Sequence, residues 1–111
     1  MSDHAAVSAD PELFVAVSVF VVANEMDDAV QDAFRARPHL VDGADGFVRM
    51  EVLRGVDDPK EFWLITHWRD EASYVAWHRG HTYHDSHAGI PKGLKLVRGS
   101  ASVRRMRSVA L

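Results

Sequence analysis

From Leu13 to Val22 the chain is apolar on both of the residue sets that alternate along an extended backbone. Leu13, Val15, Val17, Val19 and Val21 form one set, and Phe14, Ala16, Ser18, Phe20 and Val22 form the other. Valine supplies five of these ten residues, and β-branched side chains favour a pleated surface over a helix. A strand that is apolar on both faces needs cover on both faces. The run is about half of the ~20 residues needed for a membrane-spanning helix, so it predicts an interior strand.

The rest of the chain supplies partners for that strand. Asn24 has the character of a helix N-cap, with Asp27 and Asp28 suited to the positive end of the following helix. That helix places Ala29, Val30, Ala33 and Phe34 on one stripe, and Pro38 ends it. Gly43-Ala44-Asp45-Gly46 precedes a strand at residues 47–54, and Gly55 to Pro59 turns the chain into a strand at about 61–68. Asp70 caps a second helix that runs through Trp77 and breaks near Gly80. A short helical segment is expected at residues 83–87 and a last strand at about 101–109. The order β-α-β-β-α-β is the split, ferredoxin-like α+β arrangement: a four-stranded antiparallel sheet with helices on one face. Residues 1–11, rich in Ser, Ala and Asp, form a loose tail to a single domain at 12–111.

Two helices cover only one side of such a sheet, yet the first strand is apolar on both. Strand three likewise carries Phe62, Leu64 and Trp68 opposite Trp63 and Ile65. An open apolar face of that size exceeds what monomers usually tolerate, which predicts a homodimer joined sheet to sheet. The alternative cover is the tail together with the stretch from Ile90 to Arg98.

Composition narrows the chemistry. Thirteen Lys+Arg against sixteen Asp+Glu give a formal charge of −3, unlike a nucleic-acid module. The absence of cysteine excludes disulfides, thiolate metal sites and cysteine nucleophiles. Acid near the N-terminus, where a leader carries Lys or Arg, predicts a cytoplasmic protein without a secretory signal. The seven histidines include His78, His81, His84 and His87, one every third residue. Imidazole is a common metal ligand, but steps of three spread the rings around a helix, so an adjacent pair could chelate while all four cannot converge, and the plain alternative is solvated side chains on an exposed helix edge. Paired carboxylates fall at turns and helix starts, where capping accounts for them. Ser18 stands out as the polar residue within the first strand, and a buried hydroxyl needs a partner. That partner is a nearby carbonyl or a ligand in a pocket. Thr66 and His67 are similar polar residues within strand three, and Trp77 points inward from the second helix.

Phe62-Trp63-Leu64-Ile65-Thr66-His67-Trp68, the following helix with Tyr74-Val75-Ala76-Trp77, and His87-Ala88-Gly89 resemble the antibiotic biosynthesis monooxygenase (ABM) superfamily. Asp45-Gly46-Phe47 and Glu51-Val52-Leu53-Arg54 fit the same pattern, so the resemblance spans about residues 13–109. It implies a dimeric α+β barrel. Within the superfamily, a Trp followed ten residues later by a His resembles the heme-degrading monooxygenases of the IsdG type. That resemblance implies His87 as the axial iron ligand, with His84 a competing candidate, and Trp77 as the side chain that presses on the porphyrin. Where that family carries a strand-one Asn, this chain has Ser18, a shorter donor. Phe14, Phe20, Val22 and Tyr74 would line the slot, and Arg79 or His81 would meet the propionates. The implied activity is oxidative opening of the porphyrin ring with release of iron, with heme as both substrate and cofactor. Dioxygen and an external electron donor complete it, since no flavin or nicotinamide motif is present. Two other functions fit the same superfamily. One is cofactor-free oxidation of an aromatic polyketide to a quinone, using Trp63, Trp68, Trp77, His67 and Ser18. The other is a non-catalytic dimer that binds heme or a small ligand.

Overall fold

The computed structural model describes residues 12–37, 39–80 and 90–111. The expected tail at 1–11, the helical segment at 83–87, and His81, His84 and His87 lie outside them. Strand β1 spans Phe14–Val21, helix α1 Asp27–Arg35, β2 Phe47–Arg54, β3 Glu61–Trp68, helix α2 Glu71–Arg79 and β4 Ser102–Arg107. A 3-10 turn at Leu40–Gly43 precedes β2. The strands form one antiparallel sheet in the order β2-β3-β1-β4, the ferredoxin-like arrangement expected from the element order.

The doubly apolar β1 is an interior strand, flanked by β3 and β4. Charge is left to the edges, with Arg49 and Glu51 on β2 and Arg104, Arg105 and Arg107 on β4, where it discourages further strand pairing. Register decides which side chains share a face. Phe14, Ala16, Ser18 and Phe20 stand beside Trp68, Thr66, Leu64 and Phe62 of β3, and this face carries the helices. Val15, Val17 and Val19 stand beside His67, Ile65 and Trp63 on the face without helices.

The core is in two parts. One cluster, of Phe14, Ala16, Val41 and Trp68, takes in Phe47, Met50, Tyr74 and Trp77 and lies beneath α2. The other, of Val22, Val30 and Phe62, takes in Phe20, Phe34, Val52 and Leu94 and lies beneath α1. Leu94 therefore joins the helix side, and residues 95–97 run beside the end of β1, where Val22 bridges to Leu96.

The start of α1 departs from expectation. Asn24 is not its N-cap: the helix begins at Asp27, Met26 occupies the cap, and the Asn24 amide instead donates to the Gly93 carbonyl at 2.9 Å. Cations of the β2–β3 hairpin hold the acidic side chains at the helix start instead. Arg54 of β2 donates to Asp27 at 2.6 Å, Asp28 at 3.0 Å and Gln31 at 3.1 Å, while Lys60 donates to the Asn24 carbonyl at 2.6 Å. The α1 terminus is thus tied to the β2–β3 hairpin. Helix α2 follows the sequence: Asp70 accepts from the Ser73 N–H at 2.8 Å and from its hydroxyl at 2.7 Å. Ser73 and Arg69 hold the Asp70 carboxyl below its ordinary value.

Gly46 fixes how the chain enters β2. Its φ is +82°, and a Cβ there would lie 2.2 Å from the Ser73 Oγ and 2.4 Å from the Ser73 Cβ. The turn and the first turn of α2 touch through that missing methyl. Gly46→Ala combines a left-handed backbone penalty with overpacking, so it should destabilise the fold by about 1–3 kcal/mol. Urea unfolding measures it, and an unchanged midpoint would refute the close approach.

Candidate functional site

Helix α2 presents Tyr74 and Trp77 to the sheet because Asp70 sets its start and residues three or four apart share a face. Tyr74 lies 5.3 Å from Phe14 between ring centroids, and Trp68 lies 5.5 Å from Trp77 and 5.8 Å from Tyr74. Phe14, Trp68, Tyr74 and Trp77 are therefore one aromatic group. Phe20 belongs to the other cluster, stacked on Phe62 at 5.6 Å, and Val22 is packed beneath α1 with 1% of its surface exposed. Of the expected lining, then, Phe14, Tyr74 and Trp77 converge, while Phe20 and Val22 stand on the far side of Ser18.

Ser18 occupies the boundary. Its neighbours across the sheet are Leu64 on β3 and Val103 on β4. Ser18, Leu64 and Val103 are members of neither core cluster. The Ser18 side chain is half-buried and makes no hydrogen bond among the described residues. Of the two partners open to it, no carbonyl is found there, and Ser18 lies on the helix face between the two core clusters. The result is an apolar strip with one free hydroxyl, walled by the Phe14–Trp77 group on one side and the Phe20–Phe62 stack on the other. Such a strip suits a flat, largely apolar ligand and gives it one polar anchor.

Two shallow hollows flank the aromatic group. A hollow of about 260 Å³ is lined by Ala44, Asp45, Ser73, Ala76, Trp77 and Gly80. Another, of about 590 Å³, lies between the α2 start and β4, lined by Phe14, Asp70, Glu71, Arg105 and neighbours. Arg105 crosses the second hollow, paired with Glu71 and stacked 5.8 Å over the Phe14 ring. Neither hollow includes Ser18.

His78 lies against Tyr74 at 5.6 Å between ring centroids. No cluster of three or more His, Asp or Glu able to hold a metal occurs among the described residues. His87, the expected axial ligand, and His84, its competitor, lie outside the described residues. No helix among the described residues is long and apolar enough to cross a membrane.

Two features escaped sequence reasoning. Trp68 is the hub of the aromatic group, fully buried, and its indole N–H donates to the Thr66 hydroxyl at 2.9 Å. The alternation Thr66–Trp68 on one face was the available signal. His67, on the opposite face, pairs with Arg49 at 3.3 Å. That pairing depends on β2–β3 register, which includes an irregularity between Phe47 and Arg49 that sequence does not announce.

Comparison with known proteins agrees with this architecture. A curated relative, a mycobilin-producing heme oxygenase of Mycobacterium tuberculosis, is 30% identical over 51 residues, 46% of this chain and 49% of the relative. The chain thus spans about half the length of the curated relatives it matches. Among solved structures, the heme degrader MhuD from M. tuberculosis, with two hemes bound in its active site, superposes with a TM-score of 0.70 at 24% identity. That match covers 86% of this chain and 95% of MhuD. A conserved protein from Methanosarcina mazei Go1 gives 0.71 at 12% identity, covering 90% and 96% of the two chains. These likenesses establish the fold, and the family model for antibiotic biosynthesis monooxygenases matches residues 13–89. With most of the sheet, both helices and the aromatic group inside that match, the chain belongs to the antibiotic biosynthesis monooxygenase family.

Proposed function

We propose that this protein is a heme-binding monooxygenase that oxidatively opens the porphyrin ring and releases iron. The observation that carries the reading is the apolar strip holding the Ser18 hydroxyl between two aromatic walls. A porphyrin is flat and mostly apolar, a shape that matches a strip between helix and sheet. Trp77 and Tyr74 exclude water from one side and Phe20 from the other, which strengthens polar contacts made within. Ser18 donates a hydrogen bond to a ligand on the sheet side, at shorter reach than an amide. We assign iron ligation to His87, ten residues beyond Trp77, with His84 as the competing ligand. Bound heme supplies the iron that activates dioxygen, with electrons from an external donor. The similarity to a curated heme oxygenase supports the assignment.

The same reading pairs two copies through the face without helices. Val15, Val17, Val19, Ile65, Trp63, Leu53 and Met106 lie there, and Trp63, Leu53 and Met106 are 41%, 43% and 53% exposed in the single subunit. A second copy presents the identical apolar field, and the edge charges Arg49, Glu51 and Arg104 form a mixed rim suited to a twofold contact.

Hemin titration tests the assignment. A saturable Soret shift is expected for the wild type and its loss in His87→Ala, with His84→Ala retaining it. Ascorbate in air should then bleach the band, and Trp77→Phe should slow bleaching more than it weakens binding. Absence of a saturable shift overturns the heme reading. A band that persists under ascorbate and air replaces turnover with storage.

A further inference from the structure

We propose that His67 makes the face-to-face association of two copies acid-sensitive, an inference that rests on the sheet-to-sheet dimer above and deepens it. The neutral ring belongs to the dimer, and the protonated ring to separated subunits.

Hydrogen-bond chemistry fixes the starting state. Arg49 Nη2 lies 3.3 Å from His67 Nε2. A guanidinium carries only donors, so Nε2 must accept, and an accepting Nε2 belongs to a neutral imidazole with its proton on Nδ1. That Nδ1 is shielded from solvent and has no partner among the described residues. A buried donor without an acceptor is costly, and it sits on the face that a second copy would cover.

The surroundings oppose a second proton. Across the sheet His67 stands between Val15 of β1 and Arg49 of β2. Val15 and Val17 of β1 and Ile65 of β3 bring no charge. Glu51, one pair along β2, favours protonation, and Arg104 of β4 lies beyond Val17. Arg69, two residues on, is engaged with Asp45 and Asp70 instead, and the helices lie on the other face. Burial first, then Arg49, holds the ring below its ordinary value of 6.5, against the weaker pull of Glu51. Covering this face with apolar surface removes more water and lowers the ring further. Because the dimer binds protons less readily than the subunit, acid favours the subunit: association has its full strength while the ring is neutral in both states, at and above the ordinary value of 6.5, and weakens as pH falls through the subunit's lowered value toward the dimer's still lower one. Within that window each histidine raises the dimer dissociation constant by up to roughly tenfold per pH unit, and a dimer carries two.

Sedimentation equilibrium between about pH 7.5 and 5.5 tests this on the full chain. The wild type should be dimeric at the neutral end and dissociate toward the acid end with unchanged far-UV circular dichroism. His67→Gln should stay dimeric throughout, and Arg49→Gln, by relieving the repulsion, should move the onset to higher pH. Long-range ¹H–¹⁵N spectra at neutral pH should show one histidine in the Nδ1-protonated form that disappears in His67→Gln. A wild-type dissociation constant that stays flat, the same pH dependence in His67→Gln, or loss of ellipticity in step with dissociation overturns the inference and leaves the dimer standing. A monomer at every pH overturns the dimer reading itself, and this one with it.

Discussion

Trp68→Ala is expected to lower the unfolding free energy by about 3–5 kcal/mol, seen as a lower urea midpoint at nearly constant slope. Trp68 is fully buried, and its ring meets Phe47 at 5.5 Å, Tyr74 at 5.8 Å and Trp77 at 5.5 Å. These neighbours come from β2 and α2, so the substitution loosens the joint between the hairpin and the second helix rather than one element. It also leaves the Thr66 hydroxyl with only a long contact to the Ala16 carbonyl, 3.5 Å away. A domain of this size is stable by about 5–15 kcal/mol, so the loss is a large share of the total. Trp63 of the same strand is the built-in contrast. It faces the other side of the sheet, 41% exposed, with its indole N–H donating to Glu61 at 2.6 Å. Trp63→Ala should cost much less in dilute protein and more as concentration rises, because the proposed dimer is what would bury it. Equal, concentration-independent costs at the two tryptophans would contradict the assignment of the two faces.

The contrast between Trp63 and Trp68 also explains how much the sequence could tell. Alternation along β1 and β3 carried the strand assignments, the interior position of β1 and the division into two faces, because side-chain direction in a strand has a strict period of two. The β2–β3 hairpin and the Asp70 cap were legible for the same local reason: turn and cap chemistry involve neighbours in sequence. What was not legible depends on distant partners. Asn24 has the local signature of a cap, yet the helix begins only at Asp27, whose carboxylate is held by Arg54 of the β2–β3 hairpin, while the Asn24 side chain accepts from the Met26 N–H at 3.4 Å and donates to the Gly93 carbonyl. The split of the core into two clusters was equally hidden, since Phe14 and Phe20 lie on one face of one strand and only the placement of the helices separates them. Ser18 was marked by its polarity alone. Its position between the clusters follows from packing.

Val19→Asp should convert the proposed sheet-to-sheet dimer to a folded monomer, raising the dissociation constant by about a thousandfold or more. Val19 stands between Trp63 of β3 and Ser102 of β4 on the face without helices, and neither neighbour offers a cation. A twofold interface repeats every substitution, so two carboxylates would be buried without partners, each at a cost of several kcal/mol. In the separated subunit the same carboxylate reaches water, and the core beneath the helices is untouched because Val19 points away from it. Val17→Asp is the informative companion. Its β4 neighbour is Arg104, which can neutralise a carboxylate at that position, so the loss of association should be distinctly smaller. Light scattering coupled to size exclusion at several concentrations measures both, with circular dichroism confirming the fold. If Val19→Asp associates as tightly as the wild type, the second copy sits elsewhere and the valines of β1 owe their burial to another segment of the chain. If the order of the two variants is reversed, the register that sets Arg104 beside Val17 is wrong. The hemin test is independent of both outcomes. Ser18 and Trp77 lie on the opposite side of the sheet, so a monomeric Val19→Asp that still gives the saturable Soret shift would separate the ligand strip from the subunit contact within the same strand.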